Sequence, residues 1–295
     1  MIVDAHTHVF PDRIAESAIE KLSCEGNVYP CTDGTVTALT ASMKRSGIDR
    51  SIALPVATSP KQVMKLNDTA VRINGKTEET GVFSLGAMHP DFPAYKEELH
   101  RMKNMGLTGF KVHPYYQDAC IDDIRYLRIL DEAAGLGLVV VSHAGYDIGY
   151  PDQSNCSPDM FRNVVEKIGT FPLVLAHMGG WECWEEVLQK LSGTGVYLDT
   201  SFCMVPYRSL SDSPQTDRRG DWLHPEKMTS GQPMLDPALF TELVRAFGAD
   251  HILFATDCPW SDQEQNLLMF RKLPLKQEEQ MSILGKNAEE LFKIS

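Results

Sequence analysis

No stretch of this 295-residue chain approaches the eighteen or so uninterrupted apolar residues of a membrane span, so a soluble chain is expected. Apolar residues make up 43% and charged residues 23%, ordinary values for a globular fold. Basic charge is also scarce. Twenty-eight Lys and Arg stand against forty Asp and Glu, a net charge of −12 that repels phosphate backbones and anionic lipid. Neither nucleic acid nor a membrane is expected as a partner. Cys-x-x-Cys pairs are missing. The seven cysteines, scattered from Cys24 to Cys258, argue for reduced thiols rather than a disulfide framework or a zinc ribbon. The chain enters an apolar run with no preceding basic and apolar secretory pattern, and a cytoplasmic protein is the expectation.

What the chain does have is a rhythm. Short, nearly all-apolar runs at the N-terminus and at 51–56, 82–87, 107–112, 138–142, 172–176, 196–199 and 252–256 alternate with amphipathic segments of helical period. Helices are expected at 12–22, 36–46, 60–73, 93–105, 121–136, 158–168, 181–191 and 237–247, then at 263–272, 276–284 and 288–292. Eight such β/α repeats suit an α/β fold of the parallel (β/α)8 barrel type, with an open doubly wound sheet as the alternative. No domain boundary is visible, so residues 1–295 are expected to form one domain. One connection breaks the rhythm. Between Asp199 and Asp236 lie about thirty-six residues rich in Ser, Pro, Asp and Arg, far longer than a usual βα loop, and an insertion at about 200–235 of that length suggests a lid.

Placed on this frame, the ionisable residues gather. His6 and His8 end the first strand, Lys111 and His113 the fourth, His143 the fifth, His177 the sixth and Asp257 the eighth. All fall on the carboxyl side of their strands, where such barrels build active sites. His6 and His8 are two apart, so both imidazoles leave one face of a strand, a chelating arrangement. Each residue alone has a duller role as a loop-bonding histidine or a helix-capping aspartate. Together they supply several nitrogens and a carboxylate on one axis, the composition of a zinc site with an open position. Tyr115, Tyr116, Trp181 and Trp260 follow strand ends and are candidates for a pocket wall. Arg208, Arg218 and Arg219 lie in the insertion and could pair with a substrate carboxylate.

The motifs Val-Asp-Ala-His-Thr-His at 3–8, Ser-His-Ala-Gly at 142–145, Leu-Ala-His-Met-Gly-Gly at 175–180 and Phe-Ala-Thr-Asp-Cys-Pro-Trp at 254–260 resemble the amidohydrolase superfamily. The resemblance extends to its amidohydrolase-related branch, which includes aminocarboxymuconate-semialdehyde decarboxylase, and the ending Gly-Lys-Asn-Ala-Glu-Glu-Leu-Phe at 285–292 is similar too. It implies His6, His8, His143 and Asp257 as metal ligands, with His177 the catalytic histidine and Asp257 also moving the proton. In binuclear members a lysine near the position of Lys111 is carboxylated and bridges two ions. The branch in question commonly uses one, which makes a single zinc the expectation and Lys111 and His113 substrate-facing or second-metal residues.

Three functions are in contention. The first is a metal-dependent hydrolase that uses zinc-bound hydroxide on a small amide, ester or lactone. The second is a metal-dependent, non-oxidative decarboxylase or hydratase of a small unsaturated or aromatic carboxylic acid. The third is a metal-binding barrel without turnover, which the additional His177 argues against. Ligands alone do not separate the first two. A small-molecule substrate is expected in either case, and a homo-oligomer is compatible with both.

Overall fold

Strands that are apolar throughout are stable only where both faces are covered, and here each is sandwiched between the barrel interior and a layer of helices. The computed structural model describes residues 1–210 and 234–294. Its strands are β1 (Val3–Thr7), β2 (Arg50–Ala53), β3 (Val82–Ser84), β4 (Gly86–Ala87), β5 (Gly109–Val112), β6 (Val139–Ser142), β7 (Leu173–Leu175), β8 (Tyr197–Asp199) and β9 (Ile252–Leu253). Each pairs in parallel with the next, except that β3 and β4 follow one another through Leu85 as a single barrel strand. The ring closes between the first and last strands. Ala5 N donates to the Phe254 carbonyl at 2.9 Å, Asp257 N to that of His6 at 2.8 Å, and His8 N to that of Cys258 at 2.7 Å. The fold is the (β/α)8 barrel that the eightfold rhythm suggested.

Alternation separates two cores. Val139 and Val141 pack inside the barrel with Val3, Ala5, Ile52, Leu54, Leu85, Val174, Leu253 and Ala255, whereas Val140, Leu175 and Phe254 face the helices. The floor is plugged by Ala288, Phe292 and Ile294 from the C-terminal segment. Complete burial of the Phe292 side chain is worth roughly 1.5–3 kcal/mol by area.

Helix ends follow local chemistry. Thr35 caps Val36–Ser46 through Oγ1, and Gly47 ends that helix at φ +71. Asp236 caps Pro237–Phe247 by accepting from the amides of Ala238 and Leu239. Two expectations need correction. The helix expected from Trp181 begins at Trp184, because residues 181–183 belong to a loop whose Trp181 backbone bridges to Gly145. The break expected at Gly285 is a π-helical turn, Ser282–Lys286, that runs on into Asn287–Phe292. Gly285 serves a close approach instead: a Cβ there would lie 2.1 Å from the Met1 carbonyl oxygen.

Of the long connection after β8, residues up to 210 and from 234 onward are described. Tyr29 N donates to the Arg208 carbonyl at 2.8 Å and Leu210 N to that of Asn27 at 3.3 Å, tying its first segment to the loop after the first helix. The suggested lid, with Arg218 and Arg219, otherwise lies outside the described residues.

Candidate active site

A bulge aims the first two histidines. In β1 the pairing with β2 slips by one residue between Asp4 and Thr7, so Val3 and Ala5 point into the barrel core and His6 and His8 also point inward above them. Asp4 is turned to the outer face, where it accepts hydrogen bonds from Thr256 and from Gln263 Nε2. His177 and Asp257 reach the mouth by another route, with φ of +59 and +69 at the ends of their strands. Non-glycine residues seldom adopt that conformation, and it is concentrated at functional positions. Lys111 and His113 both face inward; Lys111 Nζ is 3.4 Å from His6 Nε2, and His113 stacks on His143 at 4.3 Å and under Tyr116 at 3.9 Å.

The outer partners of the histidines settle which nitrogens carry protons, since a carbonyl or an ionised carboxylate only accepts. His8 Nδ1 donates to the Leu54 carbonyl at 2.9 Å and His6 Nδ1 to Asp199 Oδ2 at 2.8 Å. His143 Nε2 donates to the Tyr146 carbonyl at 3.0 Å, and His177 Nδ1 to that of Ser201 at 3.0 Å. The remaining nitrogens then face one another: His6 Nε2 and His8 Nε2 are 3.2 Å apart, and His143 Nδ1 and His177 Nε2 are 3.0 Å apart. Asp257 Oδ1 completes the group, 3.0 Å from His8 Nε2 and 3.5 Å from His6 Nε2, with no hydrogen-bond donor of its own among the described residues. In neutral rings these are converging lone pairs beside an anionic oxygen, which repel unless a cation lies among them. The donor set therefore suits a divalent ion: His6, His8 and Asp257 already cluster with metal-ligand spacing, and His143 clusters in the same way with His113 and Asp147.

Electrostatics keep the rings neutral. Burial, helped by Lys111, pushes His6 down to about 4, and burial also lowers His177 and carries His143 well below the usual imidazole range. Burial acts to raise Asp199 and Asp257, but neighbouring histidines outweigh it and both carboxyls stay below their ordinary value. Burial brings Lys111 down to about 8.

Above the histidines opens a cavity of about 190 Å³. Its wall includes Val9, Phe10, Val28, Pro55, Tyr116, Phe202, Trp181 and Trp260, with Lys111 and His113 deeper in. Two pocket expectations need correction. Tyr115 stands behind the wall and donates from its hydroxyl to the Gly145 carbonyl at 2.8 Å. The Arg208 guanidinium lies 5.0 Å over the Tyr29 ring and is absent from the cavity lining, so its attraction to a π face takes the place of a carboxylate pair.

Sequence reasoning passed over Asp199, Ser201 and Asp147. Asp199 Oδ2 orients His6, while its Oδ1 accepts from the His177 amide at 3.1 Å and from the Ser201 hydroxyl. Its place at the carboxyl end of a strand was the available signal. Asp147, pushed up to about 6 by burial, lies 3.5 Å from His113 Nε2 and 3.6 Å from His143 Nε2. Four residues beyond His143 in a loop, it carried no periodic signal. Asp199→Asn should leave the fold intact yet release the His6 ring, weakening metal affinity by roughly 10–100-fold in a chelator competition. Unchanged affinity would mean that packing alone orients the ring.

The family model for amidohydrolases matches residues 3–294. No curated protein matches the chain in sequence. Among solved structures, 5-carboxyvanillate decarboxylase from Sphingomonas paucimobilis is 14% identical with a TM-score of 0.66, covering 100% of this chain and 99% of its own. The 2,6-dihydroxybenzoate decarboxylase from Rhizobium is 14% identical with a TM-score of 0.67, at 99% and 98% coverage. A dihydroxybenzoic acid decarboxylase from a Polaromonas species, solved with bound manganese and the inhibitor 2-nitroresorcinol, is 14% identical with a TM-score of 0.66, at 99% and 97%. The structural likeness runs end to end and the sequence match spans nearly every residue: the chain belongs to the amidohydrolase family.

Proposed function

We propose that the protein is a metal-dependent, non-oxidative decarboxylase of a small aromatic carboxylic acid. The observation that carries the reading is the convergence of His6, His8, His143, His177 and Asp257 at the base of a cavity walled by aromatic and aliphatic side chains. The decarboxylases among its structural relatives support this choice over hydrolysis.

His6, His8, His143 and Asp257 would hold one divalent ion, zinc or manganese, which when bound supplies positive charge to fix an anionic substrate. The other steps fall to the chain. The apolar wall excludes water from the substrate carboxylate, and loss of that hydration favours departure of neutral carbon dioxide. Lys111, the single Lys or Arg among the described lining residues, holds a substrate oxygen from the barrel side. The C–C bond breaks, its electron pair stays on the ring carbon, and a proton replaces the lost carboxyl group there. Asp257 delivers that proton after taking it up from solvent, and His177, fixed by Ser201, orients the reacting face.

Purified protein should carry about one equivalent of divalent metal and release carbon dioxide from at least one member of a benzoate and hydroxybenzoate panel. Chelator treatment should abolish that release and manganese or zinc restore it. Hydrolysis of a lactone or amide panel without any carbon dioxide release would reinstate the hydrolase reading.

A further inference from the structure

Two tryptophans follow β7, and they treat their indole N–H groups differently. Trp184 Nε1 donates to the His177 carbonyl at 2.9 Å, a structural bond that fixes the loop. Trp181 Nε1 is buried with no acceptor among the described residues, although the residue lines the cavity. An indole nitrogen can only donate, and a buried donor left without a partner is costly enough that folds rarely retain one to no purpose.

The position is also rigid. Trp181 N donates to the Ala144 carbonyl at 2.9 Å, and Tyr146 N donates to the Trp181 carbonyl at 3.1 Å. Both bonds run to the segment immediately after His143. Gly145, at φ +84, makes this docking achievable: a Cβ there would lie 2.2 Å from Trp181 N. The Trp181 backbone is thus held on the same frame as a metal-site histidine before any ligand arrives.

We infer that the Trp181 indole N–H is a specificity-determining donor that binds a neutral oxygen on the substrate ring, such as a hydroxyl, distinct from the carboxylate that reacts. This rests on the aromatic-acid reading above. The assignment of oxygens follows charge: the substrate carboxylate is served by the cationic groups, and a neutral N–H suits an uncharged acceptor.

The test is calorimetric binding of 2,6-dihydroxybenzoate and of benzoate to the metal-loaded wild type, Trp181→Phe and Trp181→His. Metal content and melting temperature are measured alongside. Trp181→Phe keeps an aromatic ring and deletes the donor; it should bind 2,6-dihydroxybenzoate about tenfold more weakly while its affinity for benzoate changes less than about twofold. Trp181→His, which returns a ring N–H, should recover part of the preference. Equal weakening toward both probes, or none toward either, overturns the inference and leaves the aromatic-acid reading standing. Failure of the wild type to bind either probe overturns both.

Discussion

His143→Ala should leave a folded barrel that no longer retains its divalent ion. His143 Nδ1 is the nitrogen freed for the ion by the Nε2 bond to the Tyr146 carbonyl. Removing it leaves His6, His8 and Asp257 as the assigned donors, and the loss in affinity should exceed the roughly 10–100-fold expected from an outer partner such as Asp199. The fold should survive, because the histidine sits at the mouth while the barrel core below it is an independent apolar cluster. Metal analysis after dialysis, with a melting curve on the same sample, checks both halves. A variant that keeps one full equivalent would remove His143 from the ligand set.

His177→Asn separates the catalyst from the ligands. His177 Nε2 lies 3.0 Å from His143 Nδ1, so distance alone allows either role. If His177 acts on the substrate, the variant should keep its metal, since His6, His8, His143 and Asp257 remain, and lose roughly 10²–10⁴ in the rate of carbon dioxide release. Asp257→Asn should instead weaken metal binding and proton delivery together. Should His177→Asn empty the site as thoroughly as His143→Ala, His177 is a ligand. The centre would then be of the two-ion type, with Lys111, buried 3.4 Å from His6 Nε2, the candidate for a carboxylated bridge.

Much of this arrangement was legible in one dimension because it depends on short-range periodicity. Apolar runs of strand length between amphipathic helices determined the barrel, and Asp236 and Gly47 marked helix ends that the structure reproduces. The strand-end positions of His6, His8, His143, His177 and Asp257 were readable for the same reason: a residue just after a β run stands at the barrel mouth. Tertiary structure decided what periodicity does not encode. The bulge in β1 determines that His6 rather than Asp4 faces the interior, and it exists only as a mismatch between two strands some fifty residues apart. Asp199 orients His6 from 193 residues away, a pairing made by barrel closure and invisible to local pattern. Arg208 went to Tyr29 and Tyr115 to Gly145, because a side chain following a strand end is placed by whichever loop packs beside it. Trp181 came into the cavity with its N–H unpartnered for the reverse reason: Gly145, on another loop, has no Cβ to keep the Trp181 backbone away.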